Sequence, residues 1–205
     1  MKKIVLATHN KDKLNELKTI LLPHGYNLIS MFEAGFIGDI AETGSSYREN
    51  AYLKAKAVYD YCQCNVLADD TGLSIDLLDG APGLHTARFA GVESDYGDKI
   101  EAIWELLKPY PKEKWTAVFQ CTLCYIDGNV HYFSGQRKGL ILDTKKGSHG
   151  FGYDPIFYVP ELGMTTAEMS PEDKNKISHR GQAIAKFVRF LESKSFELEK
   201  CDEER

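Results

Sequence analysis

Four short segments of this 205-residue chain hold side chains whose types and spacing could do chemistry. The first is Thr8-His9-Asn10-Lys11-Asp12-Lys13, where an apolar run gives way to a helical pattern. A helix N-terminus offers unpaired N–H groups and a partial positive charge, so anions bind there readily. Thr8 and Asn10 add side-chain donors and Lys13 a full charge. An ordinary N-cap followed by a solvated lysine accounts for the same residues. No Gly-x4-Gly-Lys-Ser/Thr loop occurs anywhere in the chain, which excludes a P-loop.

The second segment is a set of acids. Glu42 lies in a loop, and Asp69-Asp70 follow the apolar run from Val66 to Ala68. Carboxylates in a cleft can hold Mg²⁺, which prefers oxygen ligands. One of them can also take a proton from water. Neighbouring strand residues point to opposite faces, so one of the two aspartates is expected to face the site. The third segment is Gly150-Phe151-Gly152-Tyr153-Asp154-Pro155. Glycines on both sides leave the Phe151 ring accessible for stacking on a planar base, and Asp154 could accept from ring N–H groups. A glycine-rich turn around a core aromatic is the plainer alternative. The fourth is Lys174 with Ser178-His179-Arg180, donors for carbonyl or phosphate oxygens at a helix start. A polar helix terminus explains them equally well.

The elements that must position these residues can be read from periodicity. Lys3 to Ala7 reads as a buried strand, Lys11 to Leu22 as a helix, and Asn27 to Met31 as a second strand. Such an order suggests an α/β protein with some parallel pairing. Glu33 to Ser45 is loop-like. Ser46-Tyr-Arg-Glu49 matches a capping box and opens a helix to about Cys64. Tyr47, Ala51, Ala55, Val58 and Cys62 form its apolar stripe. Asn50 and Lys54 lie at the stripe's edge, an odd place for a lysine without a task. Val66 to Ala68 and Leu73 to Leu78 read as two brief strands. Asp98 to Lys108 reads as a helix. Ala117 to Ile126 and Val130 to Phe133 read as a hairpin around Asp127-Gly128-Asn129, with Lys138 to Asp143 extending the sheet. A short helix starts at Ser170-Pro171, and the last helix runs from Ser178 to Leu191. No linker divides the chain, so residues 1–192 read as one domain and 193–205 as a charged, frayed tail.

Composition narrows the class further. Hydrophobic residues make up 43% and charged residues 27%, an ordinary globular balance. The net charge of −5 argues against sequence-independent nucleic-acid binding, which wants a basic surface. No stretch approaches the roughly 18 apolar residues of a membrane span, and the start turns polar too early for a signal peptide. Five cysteines, an odd number, fit a reduced cytoplasmic setting. Cys121 and Cys124 look like half a zinc site, but residues three apart on a strand face opposite ways; small buried hydrophobes are the better reading.

Taken in order, the segments resemble one family. Thr8-x-Asn10-x-x-Lys13, Glu42-Thr43-Gly44, Glu49-Asn50-Ala51-x-x-Lys54-Ala55, Ala68-Asp69-Asp70-Thr71-Gly72-Leu73, Ala81-Pro82-Gly83, Phe151-Gly152-Tyr153-Asp154-Pro155 and Ser178-His179-Arg180-Gly181-Gln182-Ala183 are similar to the motifs of the Ham1-like, or inosine triphosphate pyrophosphatase, family. The resemblance spans Ile4 to Leu191. It implies an elongated mixed-sheet α/β fold (Maf/Ham1-like) with two lobes around a central cleft. It also implies a Mg²⁺-dependent homodimer that hydrolyses ITP, dITP and XTP to the monophosphate and pyrophosphate. Carried over by motif, the segment Thr8, His9, Asn10, Lys11, Asp12 and Lys13 contacts substrate, with Thr8, Asn10 and Lys13 on the phosphates. Lys54 and Arg88 also reach the phosphate region. Glu42 and Asp70 become the metal carboxylates. Asp70 accepts the proton of the attacking water with Asp69 in support, and Thr71 contacts substrate. Phe151, with Gly152 and Tyr153, meets the base. Asp154, Lys174, Ser178, His179 and Arg180 read its edge. Two rivals stay open: a Maf-like pyrophosphatase of other modified nucleotides, and a non-catalytic nucleotide-binding module.

Overall fold

The computed structural model describes residues 2–91 and 94–203, with side chains as far as residue 194. Its centre is a seven-stranded mixed sheet. The strands are β1 (Lys2–Leu6), β2 (Tyr26–Ser30), β3 (Val66–Ile75), β4 (Thr116–Ile126), β5 (Val130–Ile141), β6 (Phe157–Val159) and β7 (Met164–Thr165). They lie in the order β2-β1-β3-β4-β5-β6-β7. β1 runs parallel to β2 and β3, and every pairing from β3 onward is antiparallel. The helices are α1 (Lys11–Leu21), α2 (Tyr47–Cys62), α3 (Tyr96–Leu107), α4 (Pro171–Ile177) and α5 (His179–Glu203).

The parallel edge is covered on both faces, which explains its unbroken apolar run. Ile4 and Leu6 point toward α1 and α5, where they meet Leu17, Leu21, Ala183, Ile184 and Phe187. Val5 points the other way, into a cluster with Ala51, Ala55 and Val58 of α2. A third cluster gathers Leu73 and Ile75 with Ile100, Ile103 and Leu107 of α3 and with Trp115 and Phe157. The long strands β3 and β4 contribute to all three. Cys121 belongs to the α1/α5 cluster and Cys124 to the α2 cluster, so the two thiols do face opposite ways.

Several boundaries differ from the sequence reading. β3 is one strand that passes straight through Asp69 and Asp70, because β4 pairs with it over ten consecutive positions from Val66↔Ile126 to Ile75↔Ala117. Gly72 can sit mid-strand since a Cβ there would strike the Gly83 carbonyl and the Tyr47 hydroxyl. β5 is likewise continuous, held by β4 from Val130 to Leu140. The last turn of the expected second strand, Asp76–Leu78, is a 3₁₀ turn. α3 begins at Tyr96 because Asp95 and Asp98 form a reciprocal capping box. At the start of α2, Ser46 caps the Glu49 N–H as expected, but the Glu49 carboxylate accepts from Ser45 instead of the Ser46 amide. α5 does not stop at Leu191. Beyond it, Glu192 meets His24 and Lys194 meets Asp127, and the helix runs on to Glu203. Of the tail expected to fray, 193–205, Ser193 and Lys194 are hydrogen-bonded, and the side chains after them lie outside the described residues.

Candidate active site

The site begins where β1 ends. β1 pairs with β3 only at Val5↔Val66 and Leu6↔Leu67. Among the described residues, no strand pairs with the β1-side edge of β3 from Ala68 onward; its next partner there is the isolated Ser74↔Pro82 bridge. Alternation along β3 then sorts the acids. Leu67, Asp69 and Thr71 face α1 and α5, whereas Ala68 and Asp70 face α2. Both aspartates therefore serve one cluster, from opposite sides of the sheet. Strand alternation alone expected one of them to face the site, whereas the family resemblance gave both a role.

On the α1/α5 side, Asp69 is fully buried and lies 2.9 Å from Lys13 Nζ. Arg180 Nε stands 3.6 Å from the same oxygen, and the Thr71 hydroxyl donates to it at 2.9 Å. Burial opposes the Asp69 charge, but Lys13, Arg180 and Lys54 outweigh it and hold this carboxyl well below the usual range. On the α2 side, Lys54 Nζ donates to Glu42 Oε1 at 2.5 Å and to Asp70 Oδ1 at 3.2 Å. Burial pushes the Asp70 carboxyl up, with Lys54 pulling against it and Glu42 adding to it. Burial also disfavours the Lys54 charge, yet Asp70, Asp69 and Glu42 together keep it raised. The edge position of Lys54 on the α2 stripe now has its reason: an amphipathic side chain at the cavity wall bridges two carboxylates.

The cavity above has a volume of about 260 Å³. At one end stand Thr8, His9, Asn10, Lys13, Glu42 and Lys54. Asn10 is the N-cap of α1, its Oδ1 accepting from the Asp12 and Lys13 amides. His9 reaches outward to Asp39 at 3.4 Å and lies edge-on to Phe32.

At the other end stand Phe151, Asp154, Lys174 and His179. Asp154 Oδ2 accepts from the Phe151 N–H at 2.8 Å and from Lys174 Nζ at 2.7 Å, and Oδ1 accepts from Thr166. One carboxylate thus fixes both the ring-bearing loop and the ammonium. Gly150 permits this: it has φ +77° and a Cβ there would collide with Asp154 and Lys174. Lys174 lies 5.1 Å from the Phe151 ring centroid and Arg180 5.5 Å. His179 stacks on Phe119 with 4.7 Å between centroids, and its Nε2 is buried without a partner. Burial, then Arg180 and Lys174, depress its pKa well below that of a free imidazole, so it is neutral at physiological pH.

Most of the residues singled out in the sequence converge here, and a few do not. Ser178 is buried and spends its hydroxyl capping α5 at the Gly181 N–H. Tyr153 borders the cavity, but it is a core residue whose ring packs edge-on to Tyr96. Lys11 is exposed, and Asp12 borders a neighbouring hollow behind Phe151. Arg88 is exposed, donates to His85 Nδ1, and stands outside the cavity wall. Conversely, Glu16 was missed: its carboxylate holds Arg180 Nη1 at 2.7 Å. Its place three residues after Lys13 puts it on the same helix face, a signal that could have found it. Thr86, Tyr96 and Phe119 also line the wall and carried no comparable signal.

Mg²⁺ fits the donor set. Asp69 Oδ1 and Asp70 Oδ2 are buried without hydrogen-bond partners, and a lysine ammonium already occupies the position between Glu42 and Asp70 where positive charge is favoured. Among the described residues no group of three or more His, Cys, Asp or Glu forms a closed metal cage. Mg²⁺ ordinarily binds one or two carboxylates and completes its shell with water and phosphate oxygens.

A model of the Ham1 family matches residues 4–190. A dITP/XTP pyrophosphatase of Bacillus subtilis (strain 168) is 45% identical over 195 residues, covering 94% of this chain and 98% of its own. A HAM1 protein from Coxiella burnetii superposes with a TM-score of 0.86 at 37% identity, covering 94% of this chain and all of its own. The Ham1 protein of Staphylococcus aureus gives 0.84 at 39%, with the same coverage. The chain belongs to the Ham1 family.

Proposed function

We propose that this Ham1-family chain is a nucleoside-triphosphate pyrophosphatase that converts non-canonical purine nucleotides (ITP, dITP and XTP) to the monophosphate and pyrophosphate. The observation that carries this reading is a single cavity with two unlike ends. One is an acid–lysine cluster suited to phosphate and a divalent cation. The other is an accessible ring held beside a buried ammonium.

The base end supports the purine selectivity. Hypoxanthine and xanthine carry a 6-oxo acceptor, whereas adenine presents a 6-amino donor. The Lys174 ammonium, fixed by Asp154, pairs with the first and opposes the second. A site built on buried hydrogen bonds can reject a mispaired analogue by about 10⁴–10⁵-fold. Phe151 supplies the stacking face, and neutral His179 can either donate or accept at Nε2.

In the reaction, water oxygen attacks the α-phosphorus, the bond from that phosphorus to the bridging oxygen breaks, and pyrophosphate leaves. Asp70, raised toward neutrality by burial, takes the proton from water. Asp69 stays ionised and holds Lys13 and Arg180 toward the phosphates. Lys13 and Lys54 offset the charge that develops on pyrophosphate. Mg²⁺ held by Glu42 and Asp70 would neutralise and orient the phosphate oxygens. Arg88 would join the phosphate contacts by turning inward from its exposed position. The chain works as a cytoplasmic homodimer, each subunit with two lobes around the cavity.

The test is pyrophosphate release from ITP, XTP, GTP and ATP, with and without Mg²⁺. Rapid metal-dependent release from ITP and XTP alone is expected, and Asp70→Asn should remove it while substrate still binds. Turnover favouring other bases would move the reading to a Maf-like enzyme. Binding without turnover would move it to a nucleotide-binding module.

A further inference from the structure

Four of the five cysteines have described side chains, and they divide sharply. Cys121 and Cys124 are buried in the sheet, whereas Cys62 and Cys64 are half-exposed at the junction from α2 to β3. There the chain turns back on itself. Gln63 ends α2 in the left-handed conformation (φ 49°, ψ 39°), its N–H still donating to the Tyr59 carbonyl. Its side chain donates to the Asp60 carbonyl and holds the turn closed. As a result the Cys62 and Cys64 sulfurs lie 2.8 Å apart. A disulfide requires about 2.05 Å, with the two Cβ vectors converging. The left-handed turn has brought the two sulfurs to within about 1 Å of that separation.

We propose that Cys62 and Cys64 form a thiol modification site, closed reversibly to an intramolecular disulfide by hydroperoxides. Cys62 sulfur attacks one oxygen of hydrogen peroxide, the O–O bond breaks, and Cys62 sulfenic acid forms with release of water. Cys64 sulfur then attacks the sulfenic sulfur. The S–O bond breaks, and the hydroxide leaves as a second water with the Cys64 proton. Two thiols are oxidised by two electrons and one peroxide is reduced to two waters. Burial and the neighbouring Cys62 push the Cys64 thiol up, so it keeps its proton and suits the resolving role better than the attacking one. A dithiol in a reducing compartment returns to the open form by thiol exchange.

The test uses the full chain with Cys201→Ser, which leaves Cys62, Cys64, Cys121 and Cys124. The protein is treated with hydrogen peroxide, unfolded in N-ethylmaleimide and weighed intact and as tryptic peptides. Two of the four thiols should be blocked, and the peptide Ala57–Arg88, which holds both cysteines, should be lighter by two hydrogens. Dithiothreitol should restore four labels. With Cys62→Ser added, three thiols should label before treatment, and oxidation should no longer lighten that peptide. Full labelling after peroxide, overoxidation of the cysteines without ring closure, or a loss of label that persists in Cys62→Ser would each overturn the proposal.

Discussion

Replacing Lys54 by Met isolates the electrostatics of the acid cluster. The ammonium lies 3.2 Å from Asp70 Oδ1 and closer still to Glu42, with side-chain exposures of 11%, 9% and 29%. At an effective dielectric of 20, one such pair is worth about 5 kcal/mol of attraction, most of which desolvation offsets. Deleting one partner of a buried pair costs about 3–5 kcal/mol, because the other charge stays buried and unpaired. Lys54 and Glu42 keep some contact with water, so the lower figure applies. For a chain of this size, about 3 kcal/mol lowers Tm by about 6–12 °C in metal-free buffer at pH 7.5. The loss should also depend on pH. Burial already pushes the Asp70 carboxyl up from its ordinary value, with Lys54 opposing that push. Without Lys54 it titrates higher still. The folded variant then keeps a proton that the unfolded chain has lost, so its stability rises as pH falls toward the unfolded carboxylate pKa of about 4. Thermal melts in EDTA at pH 7.5 and 5.5 should show the gap to wild type narrowing at the lower pH. Added Mg²⁺ should narrow it again at pH 7.5. A Tm loss under about 3 °C, or the same loss at both pH values, would refute the assignment of Lys54 as the buried counter-charge.

Three further outcomes follow from the same geometry. Lys174→Met removes the ammonium that Asp154 holds in the cavity, and the ITP-to-ATP ratio of kcat/KM should fall by about 100-fold or more, given the discrimination that buried hydrogen bonds supply; an unchanged ratio would move base selection elsewhere. Asp127 is lowered because Lys194, the Asn129 amide and His131 outweigh its burial, so its contribution is present above the ordinary Asp pKa and lost as pH falls through its own. Asp127→Asn should lower Tm by about 2–4 °C at pH 7, the effect of about 1 kcal/mol from a pair that is partly exposed at Lys194, and by almost nothing near pH 2; a pH-independent difference would contradict the ion pair. His179 should give an NMR ring signal that does not titrate between pH 8 and 5.5, and a midpoint near that of free imidazole would mean that the ring is hydrated.

The elements that depend on local chemistry were legible in the chain alone. Ser46 and Ser170 cap helices where the sequence starts them, because a cap needs only an amide two or three residues on. The apolar stripes of α2 and α5 face the core as their 3.6-residue period requires. The odd position of Lys54 pointed to the site before any fold was known. What local pattern could not decide was anything set by a partner strand or by distance through space. Two acids in a row looked like a strand end, and only the ten-position ladder with β4 keeps β3 running through them. That β1 pairs with β3 at only two positions, both before Asp69 and Asp70, is a fact of the sheet order. Glu16 reaches Arg180 across 164 positions of sequence, and His179 finds Phe119 only after α5 packs over β4. Motif order carried the family and the chemistry. Register, burial and long-range charge pairing decided which of those residues meet, because these arise only when distant segments exclude water together.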